Sequence, residues 1–228
     1  MEARLAALRT ALMDEDEQVR EAAAEALDRV EHLASPSLLR DAAATESDLG
    51  LRLAAVHALG DVHDADASDL LCRLLTEDPH AEVRAAAASA LARANPPGSG
   101  EALLAALSDE HPSVAVAAAR ALAEVGERAA VPMLIEMTTN GDAQRAAGAA
   151  QALAGLGARE AVSAIANLLT DDDVQLRAIA AEALGDIASQ GAEQALIEAT
   201  RDDAPEVRRN AVAALGRLEV TTASPTPA

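Results

Sequence analysis

The chain has 228 residues, half of them apolar but none of them Phe, Tyr or Trp, and a net charge of −20 from 38 acidic and 18 basic residues, every basic one an arginine. That balance leaves no basic patch for phosphate neutralisation and no aromatic platform for base stacking, so neither nucleic acid nor an anionic membrane surface is an expected partner. The single cysteine, Cys72, excludes an internal disulfide; with no membrane-spanning apolar run and no signal-peptide pattern at the N-terminus, a soluble cytoplasmic protein is expected.

Along the chain a leucine recurs at Leu27, Leu59, Leu91, Leu122, Leu153, Leu184 and Leu215, with gaps of 32, 32, 31, 31, 31 and 31 residues. A fixed period of this size means a repeat array. The copies span about 1–33, 34–64, 65–96, 97–126, 127–157, 158–189 and 190–219. Each opens with an amphipathic segment, at roughly 3–13, 36–45, 67–76, 100–108, 128–138, 159–170 and 191–201. Apolar residues there, such as Leu5, Leu8 and Leu12, or Val162, Ile165 and Leu169, keep helical spacing. Met1–Met13 is expected to cap the first copy, with Arg4 and Arg9 on its open side.

The leucine marks the second helix of each copy. Alanine stands one residue before it and four before it in all seven copies; Ala149 and Ala152 are examples. With Ala or Val three before and a branched residue eight before (Val19, Leu51, Val83, Val114, Leu176, Val207), these slots form a buried stripe. Invariant alanine implies a closely packed neighbour. Eleven before the leucine stand Asp16, Asp48, His80, His111, Asp142, Asp173 and Ala204, at the helix start. Pro112 and Pro205 follow in the first helical position. Gly60, Gly185 and Gly216, just after the leucine, are read as helix ends. Short connections such as GERAA and GAREA leave room for antiparallel hairpins only. Stacked hairpins give an all-α, right-handed α-solenoid of about seven helix pairs over 1–219, a single domain, with a disordered polar tail at 220–228.

Asp-x-x-x-x-Val-Arg, then alanines, then Ala-Leu-Gly, resembles HEAT-like repeats of the type first described in phycobilisome lyases; DPHAEVRAAAASALARA and DDAPEVRRNAVAALGRL carry the likeness. The resemblance covers about 1–219. It implies a solenoid whose second helices line a concave face. It also implies a ladder between an acidic slot thirteen before the leucine (Asp14, Glu46, Asp78, Asp109, Asn140, Asp171, Asp202) and a basic slot seven before it (Arg20, Arg52, Arg84, Ala115, Ala146, Arg177, Arg208). Copies four and five lack the arginine and copy five also lacks the acid, so altered curvature or softness is expected around 109–150.

No specific catalytic constellation is present, and no enzyme is expected. The His-Glu helix pairs of di-iron hydroxylases built from such repeats are missing. His80 and His111, in adjacent cap slots, could hold a metal with Asp78 and Asp109; solvated histidines at helix starts explain them more simply, and no cofactor or metal is expected. His63–Asp66 reads as a polar loop, Ser35, Ser68 and Ser99 as helix starts, and Cys72, among leucines, as a small buried residue. What remains is a surface opposite the alanines. Two before the leucine it offers Glu25, His57, Ser89, Arg120, Gln151 and Glu182; six before, Glu21, Leu53, Ala85, Val116 and Ala178. An apolar centre rimmed by charge marks protein binding. The leading expectation is therefore a non-enzymatic scaffold or adaptor holding a protein partner, favouring a basic one. The uncapped seventh copy offers a surface for homo-oligomer formation. The resemblance supplies an alternative, a bilin lyase or lyase chaperone subunit; a plain structural spacer is a third reading.

Overall fold

The computed structural model describes residues 36–218 and, ahead of them, Thr10, Ala11, Met13, Asp14, Asp16, Val19, Arg20 and Ala23. Most of the first copy, including Arg4, Arg9 and Leu27, and the tail 220–228 lie outside the described residues. All regular structure among the described residues is helical, and the chain has the α-solenoid class of fold.

Two compact units divide the chain, Met1–Ala121 and Leu122–Ala228. The first contains α1 (Pro36–Thr45), α2 (Leu49–Leu59), α3 (Ala65–Glu77), α4 (Ala81–Ala94), α5 (Ser99–Ala106) and most of α6 (Pro112–Glu124). The second contains α7 (Val131–Asn140), α8 (Ala143–Gly155), α9 (Val162–Asn167), α10 (Val174–Ile187), α11 (Glu193–Ala199) and α12 (Pro205–Leu215). One turn of 3-10 helix leads into α7, α9 and α11. Within the first unit α1 pairs with α2 and α3 with α4, and α2 stacks on α4. Within the second, α7 pairs with α8, α9 with α10 and α11 with α12, while α8 stacks on α10 and α10 on α12.

The slots explain these contacts. Leu59, Leu91, Leu122, Leu153 and Leu184 are fully buried, and each contributes about 1.5–3 kcal/mol of hydrophobic stabilisation. Alanines four before the leucine are buried in every copy, from Ala23 to Ala211. Where a neighbouring helix must come this close, no larger side chain fits. Three before the leucine, Val56, Ala88, Ala119, Ala150 and Ala181 are fully buried, whereas Val212 in the seventh copy is 60% exposed. That slot therefore faces the following copy, and among the described residues none follows α12 to cover Val212.

Helix starts follow the expected chemistry. Asp48 accepts the Leu51 N–H at 3.0 Å, Asp142 that of Arg145 at 2.9 Å, and Asp173 that of Gln175 at 2.8 Å. Such a cap stabilises by about 1 kcal/mol. His80 and Ala204 make no side-chain cap bond. Two readings need correction here. His63–Asp66 is no plain loop, because Asp64 caps α3 by accepting the Ala67 N–H at 2.6 Å; Ser68 then lies inside that helix. Gly60 and Gly216 do end α2 and α12, but Gly185 lies inside α10, which runs on to Ile187.

α6 and α8 end alike. The amide of Glu127 reaches back to the Leu122 carbonyl at 2.9 Å and that of Gly126 to Ala123 at 3.2 Å; Ala158 and Gly157 repeat the pattern on Leu153 and Ala154. This wrap needs a left-handed residue, supplied by Gly126 (φ +74) and Gly157 (φ +58). At the end of α10 the same conformation falls on Ala188 (φ +52), where a Cβ is costly.

Candidate functional site

Two sets of arginines decide how second helices meet, and so which of their residues remain open. The first set is the expected ladder. Arg84 donates through Nε to Asp109 Oδ2 at 2.8 Å and through Nη2 to Oδ1 at 2.9 Å, while Nη1 donates to the Asp78 carbonyl of its own copy at 2.9 Å. Arg177 repeats this on Asp202 at 2.7 and 3.0 Å and on the Asp171 carbonyl at 2.8 Å. Arg52 pairs with Asp78. Each rung thus runs from one copy's arginine to the next copy's acid. The acids are pre-set: Asp78, Asp109 and Asp202 accept the N–H of His80, His111 and Ala204, two residues on.

The ladder's charges are mutually tuned. Burial acts to raise the Asp109 carboxyl, but the hydrogen bonds from Arg84 and the His111 amide hold it below the usual carboxylate range. The Arg177 hydrogen bond holds Asp202 low in the same way. Where Ala146 replaces the arginine, Asp171 receives the Asp173 N–H at 2.8 Å but no guanidinium from copy five. Arg145, one place out of register, turns to its own cap, Asp142, at 3.4 Å. Copies five and six are tied elsewhere, by Arg128 to the Leu156 carbonyl and to Glu160, both at 2.8 Å.

The second set was not foreseen. Arg93, two after its leucine, lies back over α2: it donates to the His57 carbonyl, and its Nε is 3.5 Å from Asp61 Oδ1. Arg217 does the same to α10, reaching the Glu182 carbonyl at 3.5 Å and Asp186 at 3.5 Å. Both cross a glycine. A Cβ at Gly60 would come within 2.6 Å of the Arg93 guanidinium, and one at Gly185 within 2.7 Å of Ala214. The glycine after the leucine therefore gives clearance for the next helix. The readable signal is the pairing of Gly-Asp in one copy with arginine two after the leucine of the next.

The candidate surface residues can now be placed. Glu21 and Glu25 lie outside the described residues. In the first unit, Leu53, Ala85 and Val116 are half-buried, and His57 and Arg120 are exposed around them. The Arg120 guanidinium donates to the half-buried Ser89 hydroxyl at 3.3 Å, so copies three and four share one patch. In the second unit, Gln151 and Glu182 are exposed and both line a groove of about 270 Å³. Ala154, Gly155, Ile179, Ala183 and Asp186 complete it. Ala178, expected to be open, is 7% exposed, and its carbonyl accepts the Asn210 amide at 3.0 Å. A side chain from the next copy closes that slot.

Other chemistry is subdued. Asp78 and Asp109, the carboxylates a metal at His80 and His111 would need, are both held by arginines, and among the described residues no cluster of His, Cys, Asp and Glu could hold an ion. Cys72 is half-buried rather than buried, in a shallow groove with Arg40, Asp69 and Arg73; burial, then the Asp69 charge, pushes its thiol up, away from the reactive thiolate. No described helix is long and apolar enough to cross a membrane.

The family model for HEAT repeats matches residues 2–92, 68–154, 100–177 and 161–226. A comparison with curated proteins finds no match. Among solved structures, the chain is similar to the complex of CpcE and CpcF of phycocyanin lyase from Nostoc sp. PCC7120, with 23% identity, 93% of each chain covered and a TM-score of 0.56. An engineered protein shares 27% identity over 92% of this chain and 96% of its own, with a TM-score of 0.56. YibA of E. coli shares 18% over 92% and 91%, with a TM-score of 0.65.

Proposed function

The chain belongs to the HEAT-repeat family, and from that premise we propose that it is a non-enzymatic scaffold or adaptor that holds a protein partner on the second-helix face. One observation carries the reading: the second helices of the first unit leave Leu53, Ala85 and Val116 half-open among His57, Ser89 and Arg120, although the slots beside them are sealed. Apolar area rimmed by polar groups fits a protein surface better than a small molecule or nucleic acid. The charge of −20 favours a basic partner through long-range attraction. The soluble, cytoplasmic setting read from the sequence goes with that role.

The test is affinity capture with the full chain, comparing the native sequence with Leu53→Asp/Val116→Asp and, separately, with the exposed change Arg120→Glu. Circular dichroism of each variant checks that the helices persist. The proposal expects the captured partner to be lost from the double variant and weakened by Arg120→Glu. Undiminished capture by both would refute it.

The likeness to the CpcE–CpcF lyase complex, at the level of fold, keeps a second reading in view: a bilin lyase or lyase chaperone subunit. It predicts an absorbance shift when a free bilin is mixed with the chain, and an unchanged spectrum removes it.

A further inference from the structure

Arg93 and Arg217 show how this array seats a guanidinium on its second-helix face. The side chain crosses the position after the upstream leucine, donates to the carbonyl two before that leucine, and meets the carboxylate two after it. Between α8 and α10 the same positions are rearranged. Two after the leucine, α8 has Gly155 in place of the aspartate, and α10 has Asp186 in place of the arginine. Among the described residues neither position carries an arginine, and a groove of about 270 Å³ lies there.

Its chemistry is that of the occupied places, with the cation removed. The Gln151 carbonyl holds the slot of those of His57 and Glu182, near the C-terminal end of α8. Glu182 and Asp186 supply two exposed carboxylates; Arg217 approaches one oxygen of Asp186 at 3.5 Å and leaves its side chain 49% exposed. Ala154, Gly155 and Ala183 make a smooth apolar floor for an aliphatic stem. A planar fork satisfies a carbonyl and two carboxylates at once, which a compact ammonium does not.

We propose that the groove between α8 and α10 receives an arginine side chain of a protein partner, in the place that Arg93 and Arg217 fill elsewhere in the array. The inference rests on the reading of the second-helix face as a protein-binding surface and names one contact on it.

The test is an NMR titration of the full chain with N-acetyl-arginine N-methylamide, with the citrulline analogue as the uncharged isostere. Saturable amide shifts are expected at Gly155, Glu182, Ala183 and Asp186 for the arginine probe, with about ten-fold weaker binding of citrulline. Glu182→Gln/Asp186→Asn should lose a similar factor. Gly155→Asp/Asp186→Arg places an internal pair across the groove at the expense of the Arg217–Asp186 contact, and should abolish probe binding, with circular dichroism checking that the helices persist. Shifts that spread over the acidic surface without saturating, or binding kept in either double variant, would overturn the proposal. A partner whose capture depends on Leu53 and Val116 but is indifferent to Glu182→Gln/Asp186→Asn also overturns it while leaving the binding face intact. Saturable probe binding, with capture untouched by the Leu53 and Val116 changes, upholds the groove and sinks the wider reading.

Discussion

Copies two to four and copies five to six solve the same stacking problem differently. In the former, Arg52 and Arg84 reach Asp78 and Asp109 from largely buried positions, with side chains 12% and 10% exposed. In the latter, Ala146 offers Asp171 nothing, and the tie is Arg128 to Glu160, with side chains about half exposed at 55% and 51%. Yet Ala149, Ala150 and Leu153 are as completely buried as Ala87, Ala88 and Leu91. Alanine and leucine packing is thus common to both kinds of junction, and we propose that the arginine ladder sets how firmly each is held. The division of the chain at Ala121 falls in the copy whose basic slot is Ala115.

The largest effect should come from cutting a buried rung. Arg84→Met removes the two hydrogen bonds that Arg84 donates to the half-buried Asp109 carboxylate and should cost about 3 kcal/mol, read as a lower urea midpoint. A loss below about 1 kcal/mol would place these rungs with ordinary surface pairs. Overpacking comes next: Ala149→Leu puts a branched side chain into a fully buried slot facing the adjacent helix and should destabilise by about 1–3 kcal/mol. If that variant melts like the native chain, the alanine stripe is not a close-packed seam.

Acid sharpens the same contrast. Asp109 and Asp202 have carboxyls held below their ordinary range, so the unfolded chain takes up protons more readily than the folded one. The stability they supply is complete above the unfolded aspartate value of about 3.9 and is lost as pH falls through the lower folded values. Stability should therefore drop as pH falls from about 4, and Arg84→Met should flatten that drop by removing the Asp109 share. An equal slope in both chains would deny the linkage. The smallest effect is local: Ala188→Gly relieves the left-handed backbone after α10 and should add about 0.5–1 kcal/mol.

Much of this was legible because each slot occurs seven times, so the chain served as its own comparison. Helix pairs and the Asp48, Asp142 and Asp173 caps could be read from residue type and spacing, and the acid–arginine ladder was implied by the resemblance to HEAT-like repeats. The roles of Gly60 and Gly185 could not. Glycine after a helix's leucine suggests an ending within one helix, while its use here depends on Arg93 and Ala214 from the following copy. Ala178 escaped for the same reason, since its slot is open or closed according to whether the next copy carries Asn210 in reach. Properties that belong to a junction are not written in either copy alone.

Residue-resolved hydrogen exchange of the native chain addresses the contrast between junctions most directly. Amides of α8, whose copy lacks the rung, should open at lower free energy than those of α4 and α10, and Ala146→Arg, which restores a donor for Asp171, should narrow the difference. Uniform protection from copy three to copy six, unchanged by Ala146→Arg, would contradict the claim that the arginine ladder sets the firmness of each junction.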